Sequence, residues 1–427
     1  MEPKTIDDDK LRSNLPSQTH PSTADAGTTT GIAFVVLLGA LTMLPPLSTD
    51  VSLPGLPLIA SALHASRGAV QASLSVFIFA FGVGQLVVGP LSDRFGRRPV
   101  LLVGLATFTV AGVGCTVATD VSVLLFARFV QGFGACAGTV VARAIVQDVS
   151  HERTRAATLQ SYVTAVNSLA PMLAPLLGVA ILAVTSWRWL YGALIVIGVV
   201  LFAAVLRRLP ETAPGSSGDV IAAYRRVLAR ARTLPLAIFS ACAFGAYFAL
   251  ISGSPFALVA QMHLARESYA FAFGLNALAL LCGSFATGRL AGRIGAERVL
   301  ALGVVLFGFA GVAAFLVDAL IPGPIGFVTT FAAVAFAFGI AAPSAFAAAL
   351  ADAERDSGLT AGVLGAAQML GGAAASAATG AVALAPTAAI GTTVIVLSCA
   401  AAAAYVWSRA RFGRTPGRTQ DVVTGMP

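Results

Sequence analysis

The sequence predicts an all-α membrane protein with twelve transmembrane helices, arranged as two pseudo-symmetric six-helix bundles. Of its 427 residues, 57% are hydrophobic and 11% are charged, whereas soluble domains are about 45–50% apolar and about 25% charged. The hydrophobic residues form runs of about 20, the length that crosses a bilayer. A charged segment near residue 90 also recurs in weaker form 199 residues later. Lipid is therefore the expected solvent of the outer surface.

Twelve apolar runs are the predicted spans. The first six are 31–54, 69–91, 99–119, 121–147, 157–184 and 187–207. The second six are 234–258, 268–290, 298–319, 324–350, 359–384 and 386–408.

The polar segments divide the chain into five parts. Residues 1–30 contain no apolar core of a signal peptide. Their content of proline, serine, threonine and aspartate predicts a disordered cytoplasmic tail. Residues 31–207 are the N-terminal bundle and 234–408 the C-terminal bundle. The arginine-rich segment 208–233 is a cytoplasmic linker, and 409–427 is a basic cytoplasmic tail.

The lysines and arginines predict the topology. With the N-terminus in the cytoplasm, 23 of the 27 lie on the cytoplasmic side. Arg67, Arg188 and Arg266 lie on the other side, and Arg128 lies within a span. This asymmetry is the positive-inside pattern, and it places both termini in the cytoplasm. Eleven or thirteen spans would place one basic tail outside, and this charge asymmetry would be lost.

The charged segment is a candidate cytoplasmic gate between spans 2 and 3. Its residues are Gly89, Asp93, Arg94, Gly96, Arg97 and Arg98. Asp93 is expected to cap or pair across a helix end, and the arginines to bridge to neighbours and lipid phosphates. The alternative is a simple positive-inside anchor, which explains the arginines but neither Asp93 nor the spaced glycines. In the weaker copy, 288–300, Gly292 replaces the acid.

Asp50 is the candidate for proton coupling. It follows Pro45 and Pro46 in the first span and precedes Pro54, about 28 Å along the helix. A carboxylate within a span costs about 2.5–3.5 kcal/mol, so it is expected to face a cavity or a partner. The alternative is a helix that ends before Asp50 and leaves the acid solvated.

Arg128 and Gln131 lie one helical turn apart in span 4. Arg128 is about 10 Å deep from the outer surface, a depth similar to that of Asp50. The two charges are therefore expected to lie close, so that protonation of Asp50 weakens its attraction to Arg128. A purely structural arginine is the alternative.

Prolines mark three further spans or span ends. Pro171 and Pro175 in span 5 bend the helix, and the small residues around them, including Gly178, permit close helix approach. Spans 1 and 7 both break at proline near the same end, which in a two-fold repeated transporter indicates the transport site. Pro and Gly are also commoner in membrane helices generally.

Other residue classes exclude alternatives. The five cysteines and four histidines show no metal-ligand or disulfide spacing, and no phosphate-binding loop occurs. No metal or cofactor is expected, and without a nucleotide-binding loop the energy would come from an ion gradient or from the substrate's own gradient. No nucleic-acid patch is present. Aromatic residues of the second half are cavity candidates, although packing accounts for them equally: Tyr247, Phe248, Phe256, Phe271, Phe273 and Phe346.

Together these motifs resemble the major facilitator superfamily. Gly89–Arg98 is similar to its signature loop, and Arg128–Gly132 to the span 4 motif of its drug/proton antiporters. Asp50–Pro57 and Ala170–Gly178 are similar to the span 1 and antiporter motifs of its bicyclomycin- and chloramphenicol-resistance (Bcr/CflA-like) subgroup. Val51 and Ser52 depart from the usual Met-Tyr.

The resemblance implies a central cavity with alternating access, a gate at Asp93, Arg94, Arg97 and Arg98, and proton coupling through Asp50 and Arg128. We therefore expect a monomeric, non-enzymatic secondary transporter of the inner membrane. It would export small amphipathic or apolar compounds, such as drugs, in exchange for protons. A proton symporter or facilitative carrier for a metabolite is the alternative. A membrane protein without transport activity would explain neither the repeat nor Asp50.

Overall fold

The computed structural model describes residues 31–150, 153–212, 220–351, 353 and 357–412. The predicted tail 1–30 and most of the C-terminal tail lie outside these residues. Within the described ranges every regular element is helical, and twelve helical stretches are long and apolar enough to cross a membrane. This confirms the predicted fold class.

Six of these stretches form the first half of the chain. Its helices are α1 Ile32–Asp50, α2 Leu56–Ala62, α3 Arg67–Phe95, α4 Arg97–Thr116, α5 Val121–Asp148, α6 Arg153–Asn167, α7 Ala170–Val184 and α8 Arg188–Arg208. The first span consists of α1, a 3₁₀ turn at Leu53–Gly55, and α2. It therefore reaches Ala62, beyond the predicted end at residue 54. The fifth span is divided into α6 and α7.

The second half repeats this plan. Its helices are α9 Val220–Ala229, α10 Thr233–Ser254, α11 Arg266–Ile294, α12 Ala296–Leu320, α13 Pro324–Ala351, α14 Ser357–Ala381 and α15 Pro386–Phe412. A π-helical segment, Pro255–Gln261, continues α10, so spans 1 and 7 both change helical type at a proline, as predicted.

Helix α9 lies in the linker, where the polar sequence alone predicts no helix. The Tyr224 hydroxyl of α9 donates a 2.8 Å hydrogen bond to the Leu86 carbonyl of α3. Partial burial raises the pKa of Tyr224 above its usual value, so this phenol stays neutral and remains a donor. The linker is thus attached to the first half.

The two copies of the charged loop also share a backbone conformation. Gly96, with φ 94°, separates α3 from α4, and Gly295, with φ 85°, separates α11 from α12. Glycine adopts a positive φ without the steric cost that a Cβ imposes. The two turns lie at equivalent positions of the two halves.

Each half packs around its own central helices. In the first half α3 and α4 pack on α5, α8 packs on α4, and α1 packs on α5 and α6. In the second half α11 and α12 pack on α13, and α10 packs on α14 and α15. The largest contact between the halves is that of α3 with α14.

The halves are closed at the end away from the charged loop. Arg67 Nη2 donates to the carbonyl of Val382 at 3.2 Å, and a Cβ on Gly68 would lie 2.4 Å from the carbonyl oxygen of Gly380. Deeper in the same contact, Gln71 Nε2 donates to Ser252 Oγ at 3.0 Å. These contacts cross from α3 to the second half.

Toward the charged loop the halves separate. A Cβ on Gly365 of α14 would meet Gln85 Oε1 at 2.4 Å, but Cβ atoms on Gly362 and Gly358 would meet nothing within 4 Å. In the same way α7 packs on α11, whereas α6 packs mainly on α1. The interior is therefore open at the end that carries the linker, which is the cytoplasmic end under the predicted topology.

Candidate functional site: a buried acid at the break of the first span

Asp50 is the last residue of α1, and its side chain is buried. Only 5% of the residue is exposed, so the alternative of a solvated interfacial acid is wrong. Thr49 Oγ1 donates to Asp50 Oδ1 at 2.8 Å. Among the described residues no arginine or lysine lies within ion-pair distance of this carboxylate.

Helix α7 packs against the helix break that follows Asp50. A Cβ on Gly178 would lie 2.3 Å from the carbonyl oxygen of Val51 and 2.9 Å from Cγ of Pro54. Only glycine allows this approach, because the first contact is with rigid backbone. Pro175 is buried on the same helix, and α7 begins with Pro171 in its first turn. The predicted proline motif thus positions the segment that carries Asp50.

Two phenols of the second half are within reach of the charge of Asp50. The charge of Asp50 acts on the phenols of Tyr247 and Tyr269, both of which are buried. Asn276 Nδ2 donates to Tyr247 Oη at 3.0 Å, and Tyr269 Oη lies 3.1 Å from Ser254 Oγ. The charge of the acid in one half therefore acts on two hydrogen-bonded tyrosines of the other.

Arg128 occupies a separate place inside the first half. It is fully buried, and Nη1 donates to Gln131 Oε1 at 2.7 Å, as the spacing predicts. Its guanidinium lies over the Phe77 ring, 4.2 Å from the centroid, and 5.7 Å from that of Tyr191. Within the described residues Nε and Nη2 have no hydrogen-bond partner.

The expected proximity of Asp50 and Arg128 is not found. No hydrogen bond or ion pair joins them in the part of the chain that the structure describes, and the charges acting on Arg128 belong to Tyr191 and Cys115. Similar depth does not imply contact, because α5 directs Arg128 toward Phe77 of α3. A direct attraction between the two charges does not operate in this conformation.

The gate candidates form an ion-pair network around Arg97. This residue is 8% exposed and pairs with Asp93 across the break between α3 and α4. Its Nε donates to Asp148 Oδ2 at 2.9 Å, and Nη1 donates to Ser92 Oγ at 2.7 Å. A simple surface anchor would not bury an arginine among two acids and a hydroxyl.

Glu211, just after α8, completes this network. Its Oε1 accepts from the backbone N–H of Arg97 at 2.8 Å, and Oε2 accepts from that of Arg98 at 3.1 Å. The carboxylate thereby caps the first turn of α4. The same carboxylate would meet a Cβ on Gly96 at 2.6 Å, which adds to the need for glycine there.

The remaining gate candidates lie at the edge of the network. The guanidinium of Arg94 lies 5.3 Å from the Phe95 ring centroid, and Arg98 Nη2 donates to the Leu206 carbonyl at 2.7 Å. A Cβ on Gly89 would meet only Val140 of α5, at 3.8 Å. The contacts described here thus join this loop to the first half and to Glu211 at the start of the linker.

Most of the aromatic cavity candidates are packed in the protein core. Tyr247, Phe248 and Phe256 are 4%, 2% and 4% exposed. Tyr247 stacks on Phe338 with centroids 5.0 Å apart, and Phe248 stacks on Phe244 at 5.6 Å. Of the other three, Phe273 is buried, Phe346 is partly buried and Phe271 is exposed. Tyr247 is the cavity candidate that also adjoins Asp50.

Sequence reasoning missed several polar residues of the site. Tyr269 and Asn276 lie on α11 without a motif to mark them, and Asp148 and Glu211 are revealed by their contacts with Arg97. Arg143 was not marked either, although it lies within α5 and within the predicted span 121–147. An arginine five residues inside a helix end is the sequence signal that could have marked it.

Twelve membrane helices in two repeated halves, with a buried acid at a helix break between them, define a multi-pass membrane transporter. The family profile described as "Major Facilitator Superfamily" matches residues 38–376. The chain belongs to this family and is a transporter of small molecules in the inner membrane, not an enzyme.

Curated relatives include transporters of the drug-resistance group. The chain is 36% identical to the "Uncharacterized MFS-type transporter YdgK" of Bacillus subtilis, over 69% of this chain and 75% of the relative. It is 31% identical to the "Multidrug resistance protein MdtL" of Escherichia fergusonii, over 65% and 72%. It is 28% identical to a "Bicyclomycin resistance protein homolog" of Haemophilus influenzae, over 64% and 70%.

Solved structures share the fold at low identity. A bacterial homologue of the human lysosomal transporter Spinster, solved inward-facing and unoccupied, gives a TM-score of 0.69 at 16% identity, covering 92% of this chain and 99% of the other. The human organic anion transporter MFSD10 gives 0.63 at 18% identity, covering 91% and 100%.

Proposed function

We propose that this protein exports small amphipathic or apolar compounds in exchange for protons, by alternating access and without a cofactor. The observation that carries the proposal is Asp50, an acid with 5% exposure, one hydroxyl donor and no cationic partner among the described residues. An ionisable group of this kind within a membrane is typical of ion pathways and proton relays. The relatives named for multidrug and bicyclomycin resistance support the drug-like substrate class.

Proton exchange at Asp50 would act across the interface of the halves. When ionised, the carboxylate interacts with the phenols of Tyr247 and Tyr269 in the second half. Protonation removes that charge, and the interaction between the halves weakens or changes geometry. Because α7 holds Val51 and Pro54 against Gly178, a change at Asp50 is transmitted to the fifth span. Export and proton uptake thus share one structural element.

The gate network would set the relative stability of the two orientations. Arg97 fastens the ends of α3, α4 and α5 to one another through Asp93 and Asp148. The first half can then rotate as a rigid unit, which alternating access requires. We place the protein as a monomer with both termini in the cytoplasm.

The proposal is tested with the purified full chain in liposomes. A substrate panel is first screened as growth protection in a pump-deficient host, including ethidium and chloramphenicol as probes. Gradient-driven uptake of a hit is then measured with and without an imposed pH gradient. We expect Asp50→Asn to abolish gradient-driven uptake and to retain downhill exchange.

Asp120→Asn is the matched control. Asp120 is an exposed N-cap of α5 that accepts from the N–H groups of Ser122 and Val123, and asparagine caps a helix equally well. This variant should transport like the wild type. Uptake that is unchanged when the pH gradient is collapsed would disprove antiport and favour the facilitative carrier. Substrate uptake in the same direction as proton entry would favour the symporter.

A further inference from the structure

Arg143 has an environment unlike that of any other arginine discussed above. It lies deep among protein atoms, and yet its side chain is exposed. A residue that combines these properties lines an internal space that is open to solvent. It is 15 residues from Arg128 on the same helix, about 22 Å along the axis. The two arginines are therefore at opposite ends of α5.

The packing of α5 on α3 accounts for this opening. A Cβ on Gly132 would lie 2.2 Å from the carbonyl oxygen of Phe77, whereas a Cβ on Gly89 would lie 3.8 Å from Cγ1 of Val140. The two helices are therefore less closely packed near Gly89 than near Gly132. Arg143 is the next residue beyond Val140 on this side of α5. It lies at the end where the two halves of the molecule also separate.

The positive charge of Arg143 has no acidic partner in the described part of the chain. No hydrogen bond or ion pair involves its guanidinium there, and the group acting on its charge is the Cys136 thiol, two turns away on the same helix. The described acid nearest to it in sequence, Asp148, is held by Arg97, which also pairs with Asp93. Five guanidinium donors are thus available to a ligand in the open space.

We propose that Arg143 binds an acidic group of the transported compound, so that the substrates include small amphipathic organic anions or zwitterions. A guanidinium binds a carboxylate or a phosphonate by two parallel hydrogen bonds, and a partly desolvated site strengthens them. The apolar body of the compound would lie toward the aromatic residues of the second half. This inference rests on the proposed function, because it takes the open interior as the transport chamber.

Equilibrium binding tests the inference without a proton gradient. The probes are tritiated 2-naphthoate and 2-naphthamide, which share one aromatic body and differ in charge, and the sample is the purified full chain in neutral detergent at pH 7.5. We expect the wild type to bind the anion more tightly than the amide. Arg143→Gln should weaken naphthoate binding about ten- to hundredfold and leave naphthamide binding unchanged.

Three further measurements separate charge recognition from misfolding and from lipid binding. Unchanged naphthamide binding shows that Arg143→Gln is folded, and Arg143→Lys, which keeps the charge but not the two parallel donors, should bind naphthoate more tightly than Arg143→Gln and less tightly than the wild type. Arg207→Gln removes an exposed arginine at the end of α8 and should bind both probes like the wild type. Displacement of naphthoate by phosphatidylglycerol, but not by phosphatidylcholine, would assign the site to a lipid headgroup and overturn the inference.

The inference is also overturned if the wild type binds naphthoate no more tightly than naphthamide, or if Arg143→Gln leaves naphthoate binding unchanged. These results are separable from those on coupling. Equilibrium binding needs no gradient, so it reports on Arg143 whether or not transport is coupled to protons. Loss of antiport with intact Arg143-dependent binding would leave the substrate class standing, and the reverse result would leave antiport standing.

Discussion

His64 and His263 adopt the same left-handed backbone conformation, with φ 48° and 56°, at positions 199 residues apart. Among the described residues they are the two non-glycine residues with positive φ, a conformation that is uncommon outside glycine. Each follows the first span of its half. Gly96 and Gly295 have the same separation, so the repeat is preserved in backbone geometry at both ends of the bundle.

We expect His64→Gly to stabilise the folded protein by about 1 kcal/mol, because glycine lacks the Cβ that makes this conformation costly. His64→Val should destabilise it, since a branched side chain fits left-handed backbone poorly. The measurement is the thermal unfolding midpoint in detergent. Ala65→Gly is the control and should lower the midpoint. Equal midpoints for the Gly and Val variants would show that the turn relaxes freely.

Gly132→Ala should disrupt the packing of α5 on α3. The added Cβ would lie 2.2 Å from the carbonyl oxygen of Phe77, which is backbone and cannot move aside. We expect a loss of about 1–3 kcal/mol, the usual cost of overpacking. Gly274→Ala is the matched control, because nothing lies within 4 Å of its added Cβ, and it should be neutral or stabilising. Thermal unfolding of both variants distinguishes packing from helix propensity.

Asp148→Asn should weaken the network around Arg97. The guanidinium is nearly buried, so loss of one acid leaves part of its charge uncompensated. We expect destabilisation of about 1–3 kcal/mol, with slower transport and intact substrate binding. Asp93→Asn should have a smaller effect on stability, because half of that carboxylate is exposed. The unfolding midpoint and the transport rate measure the two effects, and equal midpoints would contradict the ranking.

Arg128→Lys should impair coupled transport, although it keeps the charge. Lysine cannot both stack on Phe77 and donate to Gln131 in the geometry that Arg128 adopts. Phe77→Leu serves as the comparison, because it removes the ring and leaves the hydrogen bond; it should cost stability by about 2 kcal/mol with less effect on coupling. Gradient-driven uptake measures the coupling. If Arg128→Lys and Arg128→Ala both transported normally, Arg128 would be purely structural.

The sequence by itself determines the elements of this protein. Apolar length predicts the twelve spans, and prolines predict the breaks in spans 1 and 7 and a bend in span 5, because proline lacks the N–H that the helical ladder needs. The recurrence of Gly96 at Gly295 predicts the two halves. Charge asymmetry predicts the topology, which stays a prediction. Each of these signals is local, so no knowledge of neighbouring helices is needed.

The tertiary structure decides which side chains meet. In helices that are apolar on all sides, hydrophobic periodicity does not reveal the rotation of a helix about its axis. Depth alone therefore predicts a contact between Asp50 and Arg128, whereas packing turns Arg128 toward Phe77 and brings Asp50 near Tyr247. The looser packing of α3 on α5 near Gly89 likewise accompanies the exposure of Arg143. Contacts between distant segments depend on the relative orientation of helices, which only the folded chain defines.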